Sequence, residues 1–286
     1  MVNPEWIALG EGEQAMAEIK VGVVGCGGRM GRMLVAEAQG AEGCRVVAGS
    51  EAPASPLVGQ DVGALAGIGA LGIKVAGDPA SVFEAADVVL DLTVPAASVA
   101  HARLAAEKGR ALVLGTTGLD ESQADAIRAA AKRAPIVWAA NFSLGVVLLT
   151  SLVEQAARVL GEEFDIEVLE MHHRHKVDAP SGTALALGQA AAKGRRVDLA
   201  AKSQRVRDGH TGARRTGDIG FATLRGGDVA GEHTVMFAGA AERVELTHRA
   251  GSRQIFARGV IRAARWIAAK GPGLYDMTDV LGLKRG

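Results

Sequence analysis

The feature that most narrows the fold is a short apolar run ending in a glycine cluster. Ile19-Lys20-Val21-Gly22-Val23-Val24 reads as a buried parallel strand, and Gly25-Cys26-Gly27-Gly28-Arg29-Met30-Gly31 follows it where a helix opens. Glycines there permit a tight turn and let backbone amides approach a pyrophosphate, which then rests on the positive end of the helix. The strict G-x-G-x-x-G spacing is not met; Gly25, Gly28 and Gly31 stand three residues apart instead. Alone, the cluster is weak evidence, since glycines that merely close a strand–helix turn are the rival reading. Glu51 changes the balance. It lies twenty residues beyond Gly31, just after a second apolar run from Cys44 to Ala48, where an acid holds ribose hydroxyls. Ala52 follows, where an arginine would favour a 2′-phosphate. NADH is therefore expected to be accepted, and a preference for NADPH would need another cation, with Arg29 the obvious candidate.

Beyond this unit, strand-like and helix-like runs alternate. Arg29 to Ala38 is helical, Asp87 to Leu92 is a strand, and a helix carrying Val99, Ala102 and Leu104-Ala105 follows Pro95. Ala111 to Leu114 and Ile136 to Ala140 are further strands, separated by an alanine-rich helix from Glu121 to Lys132. Such alternation predicts an α/β domain with a doubly wound parallel sheet. Its ligands bind at the carboxyl ends of the strands, where Gly115-Thr116-Thr117-Gly118 and Ala139-Ala140-Asn141-Phe142-Ser143 fall.

After Asn141 the pattern shifts. Gly145 to Leu160 reads as a long apolar helix, Phe164 to Met171 as an alternating strand, and Ala184 to Lys193 as a helix stopped by Gly194. Arg195 to Gly217 is basic and loop-like, then Phe221 to Leu224, Thr234 to Ala238 and Arg243 to His248 look like strands. Few helices separate these last runs, which predicts a smaller α+β domain with a mixed or antiparallel sheet. Arg253 to Ala269 is helical again. The expected division is a tail over 1–18, a dinucleotide domain over 19–143, a second domain over 144–250 and a C-terminal segment over 251–286. Met16, just before the first strand, reads as a second possible start site.

Charge excludes two partner classes. Thirty-two basic residues balance thirty-two acidic ones, so no global field draws the chain to nucleic acid or an anionic membrane. The apolar run Leu144 to Val153 reads as too short to span a bilayer, and Met1 to Glu18 lacks the pattern of an export signal. Cys26 and Cys44 have neither CxxC spacing nor a disulfide framework, so reduced thiols in the cytoplasm are expected.

The richest stretch chemically runs from Glu170 to Thr183: Glu-Met-His-His-Arg-His-Lys-Val-Asp-Ala-Pro-Ser-Gly-Thr. Three histidines lie beside Arg174 and Lys176, and so many protonatable groups repel one another unless an anion binds or a proton is delivered there. Pro180-Ser181-Gly182-Thr183 opens a helix whose first amides form a ready carboxylate site. If the strand continues to Lys176, then His172, Arg174 and Lys176 point one way, and His173 and His175 the other. Such a cationic pocket suits a substrate with more than one carboxylate. A metal site is a rival reading, but adjacent histidines in a strand diverge and no cysteine or acid stands at a supporting spacing. A merely solvated basic loop is the other.

Together these motifs resemble the 4-hydroxy-tetrahydrodipicolinate reductases, formerly called dihydrodipicolinate reductases. The likeness runs from Ile19 to Leu283 and includes Gly231-Glu232-His233-Thr234 and Ser252-Arg253. It implies a Rossmann domain joined to a substrate and oligomerisation domain, with the C-terminal helix returning to the first. It also implies NADH- or NADPH-dependent reduction of a cyclic dicarboxylate to tetrahydrodipicolinate in lysine and diaminopimelate synthesis. By the same resemblance His172 matches the general acid and Lys176 the proton donor, while His173, Gly182, Thr183 and Arg253 match substrate contacts. The cofactor would meet Gly25, Cys26, Gly27, Gly28, Arg29, Met30 and Glu51, with its nicotinamide near Gly115, Thr116, Thr117, Ala139, Ala140, Asn141 and Phe142. No metal is implied, and a homotetramer joined through the second domain's sheet is. Without that motif the first domain alone would also suit another dehydrogenase of a small keto or semialdehyde acid, or a dinucleotide sensor that needs no Lys176.

Overall fold

A computed structural model describes residues 18–284. The reading of Met16 as a start site, and all but one residue of the expected tail, lie outside them. The first sheet is parallel and six-stranded. It comprises β1 (Ile19–Val24), β2 (Cys44–Ser50), β3 (Val88–Asp91), β4 (Ala111–Leu114), β5 (Pro135–Trp138) and β11 (Gly273–Tyr275), in the order β11-β5-β4-β3-β1-β2. Successive residues of a strand face opposite layers. Val88 and Leu90 join one core with Leu34 and Val35 of α1 (Arg29–Gly40) and Val260 and Ala264 of α9 (Gln254–Ile267). Val89 faces the other way, onto Phe83 of α3 (Pro79–Ala85), Ala102 of α4 (Pro95–Lys108) and Ile127 of α5 (Glu121–Ala131). Burial on both faces is why these strands read as continuous apolar runs. The chain reverses its winding between β1 and β3, so the turns after those strands meet at the sheet's switch point.

The second sheet is mixed. It orders β10 (Arg243–Ala250), β9 (Gly231–Ala238), β6 (Asp165–His172), β8 (Ile219–Arg225) and β7 (Ser203–Gln204). β6 pairs parallel with β8 and antiparallel with β9. Its buried face packs on α6 (Leu144–Leu160) and α7 (Gly182–Arg195), joining Leu149, Val153, Ile166, Val168, Leu187 and Phe237 in one core. Burying side chains of this size contributes about 1.5–3 kcal/mol each.

Two expectations change. β6 ends at His172 instead of running on to Lys176, because the chain turns there: His173 N donates to Val229 O at 2.8 Å and Lys176 N to His173 O at 3.1 Å. The alternation proposed for Arg174 and His175 therefore does not exist, and both side chains are exposed. The apolar run from Leu144 belongs to a helical segment reaching Glu163, with 20 residues and a mean hydropathy of 1.4, which is enough by length and composition to cross a membrane. Its buried residues Val146, Leu149, Val153 and Ala157 recur at helical spacing, and Leu149, Val153 and Ala157 pack into the second core.

Candidate active site

A cleft of about 1230 Å3 opens between the two sheets. Met30, Thr117, Ala139, Ala140 and Asn141 line it from the parallel sheet, while His172, His173, Lys176, Gly182 and Thr183 line it from the mixed one. Arg253, just before α9, reaches both this cleft and an adjoining cavity of about 400 Å3. Gly25, Gly28, Arg29 and Glu51 line the smaller space. Residues far apart in sequence are thus brought to one continuous groove along the carboxyl ends of the parallel strands.

The glycine turn is shaped for close approach. Gly25 holds a φ of 68°, and a Cβ there would stand 2.7 Å from Thr93 Cγ2 on the loop after β3. A Cβ on Gly31 would lie 2.0 Å from Gly25 O, so only glycine lets α1 press this tightly on its own turn. α5 and α7 are capped by the side chains of Asp120 and Ser181, but α1 starts at Gly28 with no side-chain cap. Its first amides are donors without a local acceptor, which fits a pyrophosphate. Glu51 Oε1 accepts a hydrogen bond from Gly27 N at 2.7 Å, which puts the carboxylate at the rim of the turn.

Five of the expected cofactor residues, Cys26, Gly27, Gly115, Thr116 and Phe142, line neither cavity. Cys26 is buried in the core, and burial, helped by Glu51, pushes its thiol up to about 11. Phe142 is buried where the chain passes between the sheets. Thr116 is also buried, and accepts from Ser98 Oγ at 2.7 Å. Thr116 belongs to a polar knot that sequence reading missed. At its centre the fully buried Asp91 accepts from Thr93 N and Thr93 Oγ1 and meets His101 Nδ1 at 2.8 Å. This knot braces the loops after β3 and β4 from beneath.

On the other wall, the turn after β6 gathers His172, His173 and Lys176. His172 Nδ1 meets Glu170 Oε2 at 2.6 Å, leaving Nε2 as its free nitrogen. Arg253 Nη2 donates to His173 Nε2 at 3.3 Å, which assigns the proton of His173 to Nδ1, a buried atom with no partner among the described residues. Burial, then the neighbouring Arg253 and His175, hold His173 below the ordinary histidine range. Lys176 Nζ pairs with Asp178 Oδ1 at 2.8 Å, and this hydrogen bond keeps the Asp178 carboxyl below its usual range. Asn141 Nδ2 donates to Thr183 Oγ1 at 3.3 Å, tying the two walls at the base of the cleft. The amides opening α7, the guanidinium of Arg253 and the imidazole of His173 line the cleft as a set suited to carboxylates.

His233 of β9 stands behind this wall, its ring edge-on to His172 at 5.1 Å and its Nε2 3.0 Å from Ser181 Oγ. Burial, then the neighbouring His172, lowers it from 6.5 to about 4. The unfolded chain protonates this group at higher pH than the folded one. Its contribution to stability is therefore present above 6.5 and is lost as pH falls towards about 4. Urea unfolding across that window should show stability falling with pH, and His233→Gln should flatten the slope.

The family models described as dihydrodipicolinate reductase, N-terminus, and dihydrodipicolinate reductase, C-terminus, match residues 19–142 and 145–281. The chain is 57% identical over 268 residues to the 4-hydroxy-tetrahydrodipicolinate reductase of Afipia carboxidovorans, covering 94% of this chain and 98% of that one. It is 58% identical over 262 residues to the protein of the same name from Brucella abortus, covering 91% and 98%. Among solved structures, a dipicolinate-bound dihydrodipicolinate reductase from a Paenisporosarcina species superposes with a TM-score of 0.73 at 25% identity, covering 91% and 98%.

Proposed function

The chain belongs to the dihydrodipicolinate reductase family, and from that premise we propose that it reduces 4-hydroxy-tetrahydrodipicolinate, through its dehydrated form, to tetrahydrodipicolinate. The observation that carries this reading is the single cleft in which His172, His173, Lys176, Thr183 and Arg253 face the loops of the parallel sheet. NADH or NADPH supplies the hydride when bound. The glycine turn from Gly25 to Met30 and the rim acid Glu51 hold the dinucleotide. Thr117, Ala139, Ala140 and Asn141 border its reactive end, while Gly115, Thr116 and Phe142 support them.

The substrate's carboxylates are held by the amides of Gly182 and Thr183, by His173 and by Arg253. Hydride adds to one carbon of the conjugated ring system, so negative charge builds at another atom, which must take up a proton. His172 acts as general acid through Nε2 and Lys176 as proton donor, and the cations around them stabilise the charge as it develops. Arg253 contacts His173 across the cleft, so closure of the walls would align both ligands and exclude water.

The division into a cofactor domain over 19–143, a substrate domain over 144–250 and a returning C-terminal segment over 251–286 is consistent with α9 packing on the first sheet. A cytoplasmic homotetramer joined through the mixed sheet completes the reading. The sheet face opposite α6 and α7, with Leu224 48% exposed, supports that assembly. Light scattering should report four chains per particle.

The test of function is parallel oxidation of NADH and NADPH, with substrate generated from pyruvate and aspartate semialdehyde by a condensing synthase. Oxidation is expected to depend on both precursors and to proceed with NADH, since Ala52 offers a 2′-phosphate no cation. Absence of precursor-dependent oxidation with either cofactor would overturn the assignment.

A further inference from the structure

The buried side of β6 carries Ile166, Val168, Glu170 and His172 in alternate positions. The first two are core residues. The third is a carboxylate only 1% exposed, at a place where the rhythm of the strand calls for another apolar residue. A charge at that depth is costly unless it is fully paired. Glu170 is paired on every side. Arg225 of β8 grips it with two hydrogen bonds, Nη1 to Oε2 at 2.8 Å and Nη2 to Oε1 at 2.9 Å. Ser181 N, at the start of α7, donates to Oε1 at 3.0 Å, Thr223 Oγ1 adds a longer contact of 3.3 Å, and His172 Nδ1 closes the set at 2.6 Å. Burial alone would raise this carboxyl, but Arg225, His172 and the Ser181 amide outweigh it and hold the group below the usual carboxylate range.

We infer that Glu170 is the positioning residue of the substrate site, one carboxylate that fixes both the imidazole of His172 and the first turn of α7. This rests on the reading of His172 as the acid. Glu170 keeps a proton on His172 Nδ1 and aims Nε2 at the cleft, so the second proton, which the ring takes up before acting as acid, sits on Nε2; Gly231 leaves room for the ring. A Cβ on Gly231 would stand 3.0 Å from His172 Nε2. Through Ser181, which also caps α7 and meets His233, the same carboxylate sets where the helix presents its amides. Arg225 extends the frame to the loop, donating to Asp178 O beside the Lys176 partner. Acid and anion site are therefore spaced by one rigid group, and neither drifts independently of the other.

The inference is tested first on the resting wild-type protein, by histidine-nitrogen NMR. His172 is expected in the Nδ1–H tautomer, and an Nε2–H tautomer would overturn the proposal. Glu170→Gln keeps the shape but cannot satisfy both His172 and the two donors of Arg225. It is expected to lower kcat about 100-fold or more, since an orienting carboxylate on a catalytic histidine is worth up to roughly 10⁴-fold. The fixed tautomer should give way to a mixture. KM for the dicarboxylate and the affinity for NADH should each change less than about threefold, because the Gln carbonyl oxygen in the place of Oε1 still accepts from Ser181 N and keeps the amides opening α7 where they are, and Arg253, His173 and the glycine turn do not touch Glu170; a merely structural role would move all of these together. A kcat within about threefold of wild type also sinks the proposal. The tautomer is read without turnover, so a wild type inactive on the dicarboxylate would overturn the functional assignment while this result stood on its own.

Discussion

Lys176→Ala is expected to lower turnover by about 10²- to 10⁴-fold, the range for a lost proton-transfer group, while NADH binds nearly as well as before. The ammonium pairs with Asp178 on its own loop and lines the larger cleft, and it does not border the cavity of the glycine turn. Its removal therefore leaves the dinucleotide contacts intact. Part of the loss will be electrostatic, because Lys176 is one of several cations facing a doubly charged substrate. Lys176→Arg separates the two contributions. A guanidinium keeps the charge but does not give up its proton, so KM should stay near the wild-type value while kcat remains low. Calorimetric titration with NADH alongside steady-state rates checks both variants. Unchanged turnover in Lys176→Ala with NADH still bound would remove Lys176 from the chemistry.

Much of the parallel sheet is legible from the chain because its strands are buried on both faces. Ala111 to Leu114 reads as a strand with the bounds it has, since four apolar residues between two breakers leave no other choice. β11 and β7 are not legible. They have three and two residues, and only pairing with β5 and β8 makes them strands at all. The histidine stretch shows the limit in the site itself. His172, His173 and Lys176 are recognisable as a set, but not the turn that gathers them, because its partners Gly227 and Val229 lie more than fifty residues on. Glu170 and His233 did leave a signal. Each is a polar residue at a position where strand alternation expects an apolar one. Asp91 and His101 left less: each looks ordinary until α4 folds back on β3 and joins them.

Gly31→Ala should be the most damaging small change in the cofactor half. Two effects oppose each other. Alanine is favoured over glycine inside a helix by about 1 kcal/mol, and Gly31 sits in the first turn of α1. Against that, the new Cβ would lie 2.0 Å from Gly25 O, 2.8 Å from Cys26 Cα and 2.9 Å from Gly25 C. All three are backbone atoms of the turn, so no change of rotamer relieves the overlap, and the helix must lift away from β1. Overpacking of this kind costs roughly 1–3 kcal/mol or more; backbone obstruction puts this site at the upper end, and sterics win. A net loss of about 2 kcal/mol would lower the melting temperature by roughly 4–8 °C, and NADH affinity should collapse because the amides opening α1 move with the helix. Gly40→Ala, at the far end of the same helix with nothing within 4 Å of the added carbon, isolates the propensity term. It should be neutral or slightly stabilising and bind NADH normally. If the two variants behaved alike, the glycine at position 31 would be there for the turn's flexibility and not for the close approach of helix to strand.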